Sequence, residues 1–204
     1  MNDASDLLSL RRVAWTLFAL VVLALPTGAL VWDHLRAQAL PEYGAVADFT
    51  AINQDGAPVT DESLRGTTWI VGFLFTSCPD VCPLTTTRMV GLEPGLPPDG
   101  VGLLAITVDP ERDTPVALRT WADRFHTDPR RWTWLTGEPA QVQAILQGFH
   151  MAAQKMPSAD GSTYSVAHSE KLALVDATGQ IRGFYDQNEE GLAAIARDAR
   201  LLRP

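Results

Sequence analysis

Hydrophobic and polar positions divide the chain into one long apolar stretch and, after it, short apolar runs separated by polar, proline- and glycine-containing breaks. From Val13 to Trp32 no charge occurs for about 20 positions, the length of a helix that spans a bilayer. Ala47-Asp-Phe-Thr-Ala-Ile52 then alternates as a half-buried strand, Asn53-Gln-Asp-Gly56 has the residues of a turn, and Val59 and Thr60 return as a second short strand. Trp69 to Phe75 and Val101 to Val108 are continuous apolar runs, the pattern of strands buried on both faces. Leu118, Trp121, Ala122 and Phe125 recur at helical spacing behind Thr114 and Pro115, a capping residue followed by a proline suited to the first helical position. Trp132 to Leu135 predicts a short strand, and Glu138 to Met151 a helix with Val142, Ile145, Leu146 and Phe149 facing inward. Ala153 to Ser165 is polar and glycine-containing and predicts a loop. Lys171 to Asp176 and Gln180 to Tyr185, joined through Ala177-Thr-Gly179, predict a hairpin, and Glu189 to Leu202 a closing amphipathic helix.

This order predicts an α/β fold: a thioredoxin-like mixed sheet flanked by helices, with parallel crossovers first, a hairpin at the end, an extra N-terminal hairpin and a single N-terminal transmembrane helix. The implied organisation is a cytoplasmic N-terminus over residues 1–12, a transmembrane anchor over 13–32, a tether over 33–43 and a folded domain over 44–204. Arg11 and Arg12 precede the apolar stretch, so the positive-inside rule keeps the N-terminus in the cytoplasm and puts the domain on the far side. Trp15 and Trp32 suit the two membrane interfaces. A cleaved signal peptide is the competing reading, since Ala37-Gln38-Ala39 resembles a cleavage site, but the apolar run is longer than a signal core of about 7 to 15 residues. Either reading exports the domain.

Composition narrows the class of partner. The chain of 204 residues is 46% apolar and 20% charged, as a globular protein is, and its net charge of −8 comes from 24 acids against 16 bases. No basic stripe occurs, which argues against nucleic acid as a partner.

The only two cysteines, Cys78 and Cys82, follow directly on the apolar run that ends at Phe75. They lie at the end of a rigid strand, and Pro83 to Leu92 behind them reads as a short helix whose first turn accommodates Pro83. The positive end of that helix predicts that one or both sulfurs ionise more readily than an ordinary cysteine. By count alone the pair is equally a structural disulfide or two inert thiols, and its spacing differs from the Cys-x-x-Cys of common oxidoreductases.

In a thioredoxin-like sheet the strand from Lys171 runs antiparallel to that from Trp69, which brings His168, just before it, next to the cysteines. Two thiolates and an imidazole suit copper, as Cu(I) or Cu(II), better than zinc, whose structural sites close with a fourth protein ligand. His34, His126 and His150 have simpler explanations at the membrane edge and at helix ends. Met151 and Met156 are soft side chains, but a core and a loop position account for them.

Phe75-Thr-Ser-Cys78-Pro-Asp-Val-Cys82-Pro83, Val108-Asp-Pro-Glu-Arg-Asp-Thr-Pro115 and Val166-Ala-His168, behind a leading membrane segment, resemble the Sco (SenC) family of copper proteins. The likeness extends from about Val46 to the end of the domain. It implies a membrane-tethered thioredoxin-like protein in the bacterial-type inner membrane, its domain on the periplasmic side, binding one copper through Cys78, Cys82 and His168. It further implies a role in assembling the dinuclear copper centre of cytochrome c oxidase, by delivering copper, by reducing that centre's cysteines, or both. The implied partners are the copper-receiving subunit of the oxidase and a thiol reductant or another copper chaperone. Asp109 matches an acidic position of the family motif and is carried as a group hydrogen-bonded around the ligands, although strand-end bonding would explain it as well. Ala167 stands where many relatives have an acidic residue, and Gly91 and Pro94 interrupt the helix after Cys82 early. A thiol–disulfide oxidoreductase or peroxide-reducing redoxin, with Cys78 attacking and Cys82 resolving, needs the cysteines but not His168.

Overall fold

The computed structural model describes residues 3–38, 40–78, 81–157 and 164–204. Ala39 of the cleavage-site motif, Pro79 and Asp80 of the cysteine segment, and residues 158–163 of the expected polar loop lie outside the described residues. The chain forms two compact units, over 1–39 and 40–204.

The first unit is one helix, α1 (Asp3–Gln38). Within it Ala14–Asp33 is apolar and long enough to cross a membrane. Leu17, Phe18, Leu20, Leu23 and Leu25 all expose more than half their surface.

The second unit is built on a seven-stranded sheet, strand order β2-β1-β5-β4-β3-β8-β9. In chain order it comprises β1 (Thr50–Asn53), β2 (Pro58–Thr60), α2 (Asp61–Leu64), β3 (Thr68–Leu74), α3 (Val81–Leu92), β4 (Val101–Thr107), α4 (Pro115–Arg124), β5 (Trp132–Thr136) and α5 (Pro139–Gly148). The chain continues with β6 (Ala153–Pro157), β7 (Tyr164–His168), β8 (Leu172–Val175), β9 (Ile181–Tyr185) and α6 (Glu189–Leu202). Strands β3, β4 and β5 are parallel and joined by α3 and α4, whereas β8 runs antiparallel to β3 and forms a hairpin with β9. This is the mixed thioredoxin-like sheet the sequence predicts, and β1–β2 is its additional hairpin, attached through β5.

The fully apolar runs became the central strands because both faces are covered: every residue of β4 is buried, and all of β3 except Trp69. Helix α4 starts at the Thr114 cap, whose hydroxyl accepts from the Ala117 amide at 3.2 Å, with Pro115 in the first turn. Helices α4 and α5 end alike, on His126 and His150 with φ of 53° and 55°. At α4 the His126 amide donates to Asp123 O and the Thr127 amide to Ala122 O, and the same pair of bonds recurs at α5, so each histidine terminates a helix where glycine is usual. Arg182 ties the start of the unit to the sheet, donating to Asp176 Oδ2 at 2.8 Å and to the carbonyls of Pro41 and Leu40 at 3.0 Å.

One expectation is overturned. The two ends of Ala153 to Ser165 are not loop: they belong to the paired strands β6 and β7, with Ala153 opposite His168 and Pro157 opposite Tyr164. The ribbon lies outside the main sheet, and in β7 only Val166 is buried, so it lacks the apolar alternation that marks a strand.

Helix α3 packs on β3 through Met89, which is fully buried, and a Cβ on Gly72 would lie 2.5 Å from the Met89 sulfur. Close approach of helix and strand therefore depends on a glycine facing a methionine. Met89→Ala should lower stability by about 2–5 kcal/mol, the usual cost of emptying such a site, in urea unfolding of the full chain in detergent micelles.

Candidate metal centre

Strands β3 and β4 pair in register from Thr68 with Val101 to Leu74 with Thr107, so both end at one level of the sheet. Two loops therefore leave side by side, one carrying Cys78 and the other the Asp109–Asp113 segment. Strand β8 pairs Val71 with Ala173, and continuing that register sets position 168 level with position 76. The antiparallel geometry thus returns His168 to the cysteine end of β3, as the sequence predicts.

Cys78 is half-buried and Cys82 fully buried, and no disulfide joins them. Helix α3 starts at Val81, two residues earlier than expected, which draws Cys82 into its first turn. The Cys78 sulfur accepts from the Cys82 amide at 3.5 Å, one of the otherwise unpaired groups at the start of the helix. The Cys82 sulfur accepts from the Phe75 amide at 3.4 Å. That turn is buttressed from α4: Trp121 Nε1 donates to Thr86 Oγ1 at 3.0 Å, and Thr86 Oγ1 donates to Cys82 O at 2.9 Å.

The expectation that helix polarity eases ionisation fails for Cys82. Burial pushes its thiol well above the ordinary cysteine range, with the Cys78 sulfur and the Asp113 charge adding to the effect and the Phe75 amide only partly opposing it. Desolvation outweighs the dipole because the sulfur lies within the core rather than at the mouth of the helix.

Cys78 and His168 border one open cleft, together with Phe75, Val81, Arg112 and Met156. The His168 ring is half-buried and stands edge-on to Phe75, centroids 6.1 Å apart. Its Nδ1 lies 2.8 Å from Ser169 O, and since a carbonyl only accepts, Nδ1 carries the proton and Nε2 keeps its lone pair. Burial lowers its pKa below the ordinary 6.5, which maintains that neutral state. Cys82 does not line the cleft, and among the described residues no three His, Cys, Asp or Glu side chains converge closely enough to hold an ion. Cys78 and His168 thus share a cleft, with Cys82 behind it in the first turn of α3. Of the other soft side chains, Met151 is in the core, while Met156, on a strand rather than in a loop, is 49% exposed on the cleft.

Asp109 is fully buried, but its partners lead to the histidine ribbon rather than to the sulfurs. It accepts from the Tyr164 hydroxyl at 2.9 Å and pairs with Arg112 Nε. Arg112 also donates to Tyr164 O at 3.2 Å and stacks 3.8 Å above the Tyr164 ring, and Lys155 pairs with Glu111 at 2.6 Å. Three residues of the β4–α4 loop, Asp109, Glu111 and Arg112, hold the β6–β7 ribbon in this way. The sequence reading missed Arg112 and Tyr164, since neither belongs to a ligand pattern and their partners lie more than 50 positions apart.

A thioredoxin-like sheet with two cysteines at the end of a central strand, one of them sharing a cleft with a histidine, defines a class of thioredoxin-like dithiol proteins. Within that class the chain belongs to the SCO1/SenC family, whose pattern it matches over residues 37–203. It is 34% identical over 164 residues to a Stutzerimonas stutzeri protein named as copper-binding, covering 79% of this chain and 78% of that protein. Its fold is similar to that of Bradyrhizobium japonicum ScoI solved with copper bound, with 29% identity, a TM-score of 0.68 and coverage of 78% and 99% of the two chains. It is likewise similar to BsSco, described as having a disulfide switch and as a member of the Sco family of cytochrome c oxidase assembly proteins, with 31% identity, a TM-score of 0.67 and coverage of 79% and 95%.

Two outcomes follow from the site. Cys78 should be alkylated by iodoacetamide well before Cys82 at pH 7 to 8, read by peptide mass spectrometry of the reduced chain; equal rates would contradict the burial of Cys82. His168 should titrate below about 6.5 by NMR. Because the unfolded chain takes up that proton first, its contribution to metal-free stability should be complete above about 6.5 and decline as the pH falls through 6.5 towards the lower folded value.

Proposed function

We propose that this chain is a membrane-tethered copper chaperone and thiol–disulfide protein that assists assembly of the dinuclear copper centre of cytochrome c oxidase. The observation that carries this reading is the cleft shared by Cys78 and His168 beside the Cys82 turn, in a chain of the SCO1/SenC family. Helix α1 is the anchor, oriented by Arg11 and Arg12 with the domain on the periplasmic side.

Copper is the cargo. Two thiolates favour Cu(I), and the His168 Nε2 completes a three-donor set that also accepts Cu(II). Loading requires both thiols to lose their protons, which for buried Cys82 happens only with the ion in place. It also requires His168 and the two sulfurs, which do not converge in the metal-free chain, to close on one point. The cost of that rearrangement keeps the ion transferable to a docked copper-receiving subunit with competing ligands. Oxidation of the pair to a disulfide removes both sulfurs at once and releases the ion.

The exposure difference between the cysteines also supports a second reading, thiol–disulfide exchange without metal. The Cys78 thiolate attacks a partner disulfide, Cys82 displaces the mixed disulfide, and the partner leaves with two thiols while two electrons and two protons leave this chain. This reading has no use for His168.

Titration of the reduced full chain in detergent with copper should show one equivalent bound. His168→Ala should weaken binding at least about tenfold, roughly 1.4 kcal/mol, and Cys78→Ala, Cys82→Ala or prior oxidation should abolish it. Uptake indifferent to His168, with disulfide reduction retained, would favour the second reading.

A further inference from the structure

The mechanism so far makes no use of Asp113, a fully buried carboxylate on the loop that follows β4. It accepts from the Thr76 amide at 3.1 Å, from the Thr76 hydroxyl at 2.6 Å and from the Thr107 hydroxyl at 2.6 Å. The two O–H···O distances are in the range of bonds to a carboxylate, and each of these partners is a neutral donor rather than Arg or Lys. A buried charge held by neutral donors is an expensive way to fasten a loop, and its placement explains the choice. Thr107 is the last residue of β4 and Thr76 lies two residues before Cys78, so one carboxylate joins the end of one central strand to the loop leaving the other. The neighbouring amide, Phe75 N, is the one that holds the Cys82 sulfur. Asp113 and Cys82 thus grip consecutive peptide groups of the same turn.

We propose that Asp113 is the positioning residue of the dithiol: by clamping Thr76 it sets the turn that presents Cys78 to the cleft and keeps the Cys82 sulfur inward. The clamp works through hydrogen-bond polarity. The Thr107 hydroxyl already accepts from the Asp109 amide at 2.9 Å, so its proton is committed to Asp113. An asparagine there has one acceptor oxygen instead of two and leaves a hydroxyl proton unmatched. The inference rests on Cys78 and Cys82 being the reactive pair and not on copper, so failure to bind copper and failure of the clamp are separate results.

The test uses the full-length chain in detergent, reduced and metal-free. Two quantities are read: the Cys82-to-Cys78 ratio of iodoacetamide alkylation rates, and the exchange equilibrium with glutathione disulfide, in which the two thiols become a disulfide and the oxidant leaves as two glutathiones. Asp113→Asn should raise the alkylation ratio at least about tenfold and move the exchange constant about tenfold, about 30 mV for this two-electron couple. Thr76→Val, which keeps the amide but loses the hydroxyl, should act in the same direction; Thr76→Ser should restore wild-type values within about twofold; and combining Asp113→Asn with Thr76→Val should add little to either alone. Thr114→Ala removes the neighbouring helix cap without touching Thr76, and should lower the melting temperature with both quantities unchanged. The inference is overturned if Asp113→Asn behaves like Thr114→Ala, or if the Asp113 and Thr76 effects are independent. Should Asp113→Asn not fold, the Thr76 pair decides: an unchanged ratio in Thr76→Val overturns the clamp.

Discussion

The parallel pairing of β3 with β4 is the constraint on which the rest depends. Seven register pairs end both strands at the same height, and at that height the backbone must leave the sheet twice within a few ångströms. The unsatisfied groups of two adjacent strand ends need partners, and the site is made from the answers. One loop turns into α3 and offers its sulfurs to the amides at the turn; the other supplies carboxylates. Asp113 reaches sideways to the cysteine loop, while Asp109 and Arg112 reach outward to Tyr164 on the histidine ribbon. The five-residue segment Asp109–Asp113 that carries them is the mechanical link between the two halves of the site.

The metal-free arrangement favours holding the donors apart. A buried thiol remains protonated, a half-buried histidine remains neutral, and the Cys82 sulfur is satisfied by a peptide amide. None of these states is the one a bound ion requires of the sulfurs, whereas the histidine already has its Nε2 available. Under the proposed function the balance therefore depends on the thiols: loading must meet the cost of ionising buried Cys82, and release recovers it. A site already closed around its donors would lack that return force.

The long, strongly patterned elements were legible in the sequence, since burial on both faces of β3 and β4 and the helical spacing in α4 and α5 have no other economical explanation. The antiparallel return of His168 was legible from topology alone. The β6–β7 ribbon was not: Lys155 and Tyr164 are held by ion pairing and stacking on Glu111 and Arg112, interactions that leave no period in the chain. The raised Cys82 thiol was missed for a related reason. Helix polarity can be read from where a helix begins, but desolvation depends on what covers the sulfur, and Cys82 lies in the hydrophobic core among residues from distant parts of the chain. Asp113 stood in the quoted motif beside Asp109, but only the folded chain distinguishes which carboxylate serves the cysteines and which the ribbon.

The central claim is that three side chains, unassembled without metal, close around one copper. X-ray absorption at the copper edge of the Cu(I)-loaded full chain measures this directly. The account predicts two sulfur donors and one imidazole nitrogen, with the nitrogen signal lost in His168→Ala. A first shell of two sulfurs alone, unchanged by that substitution, would contradict it.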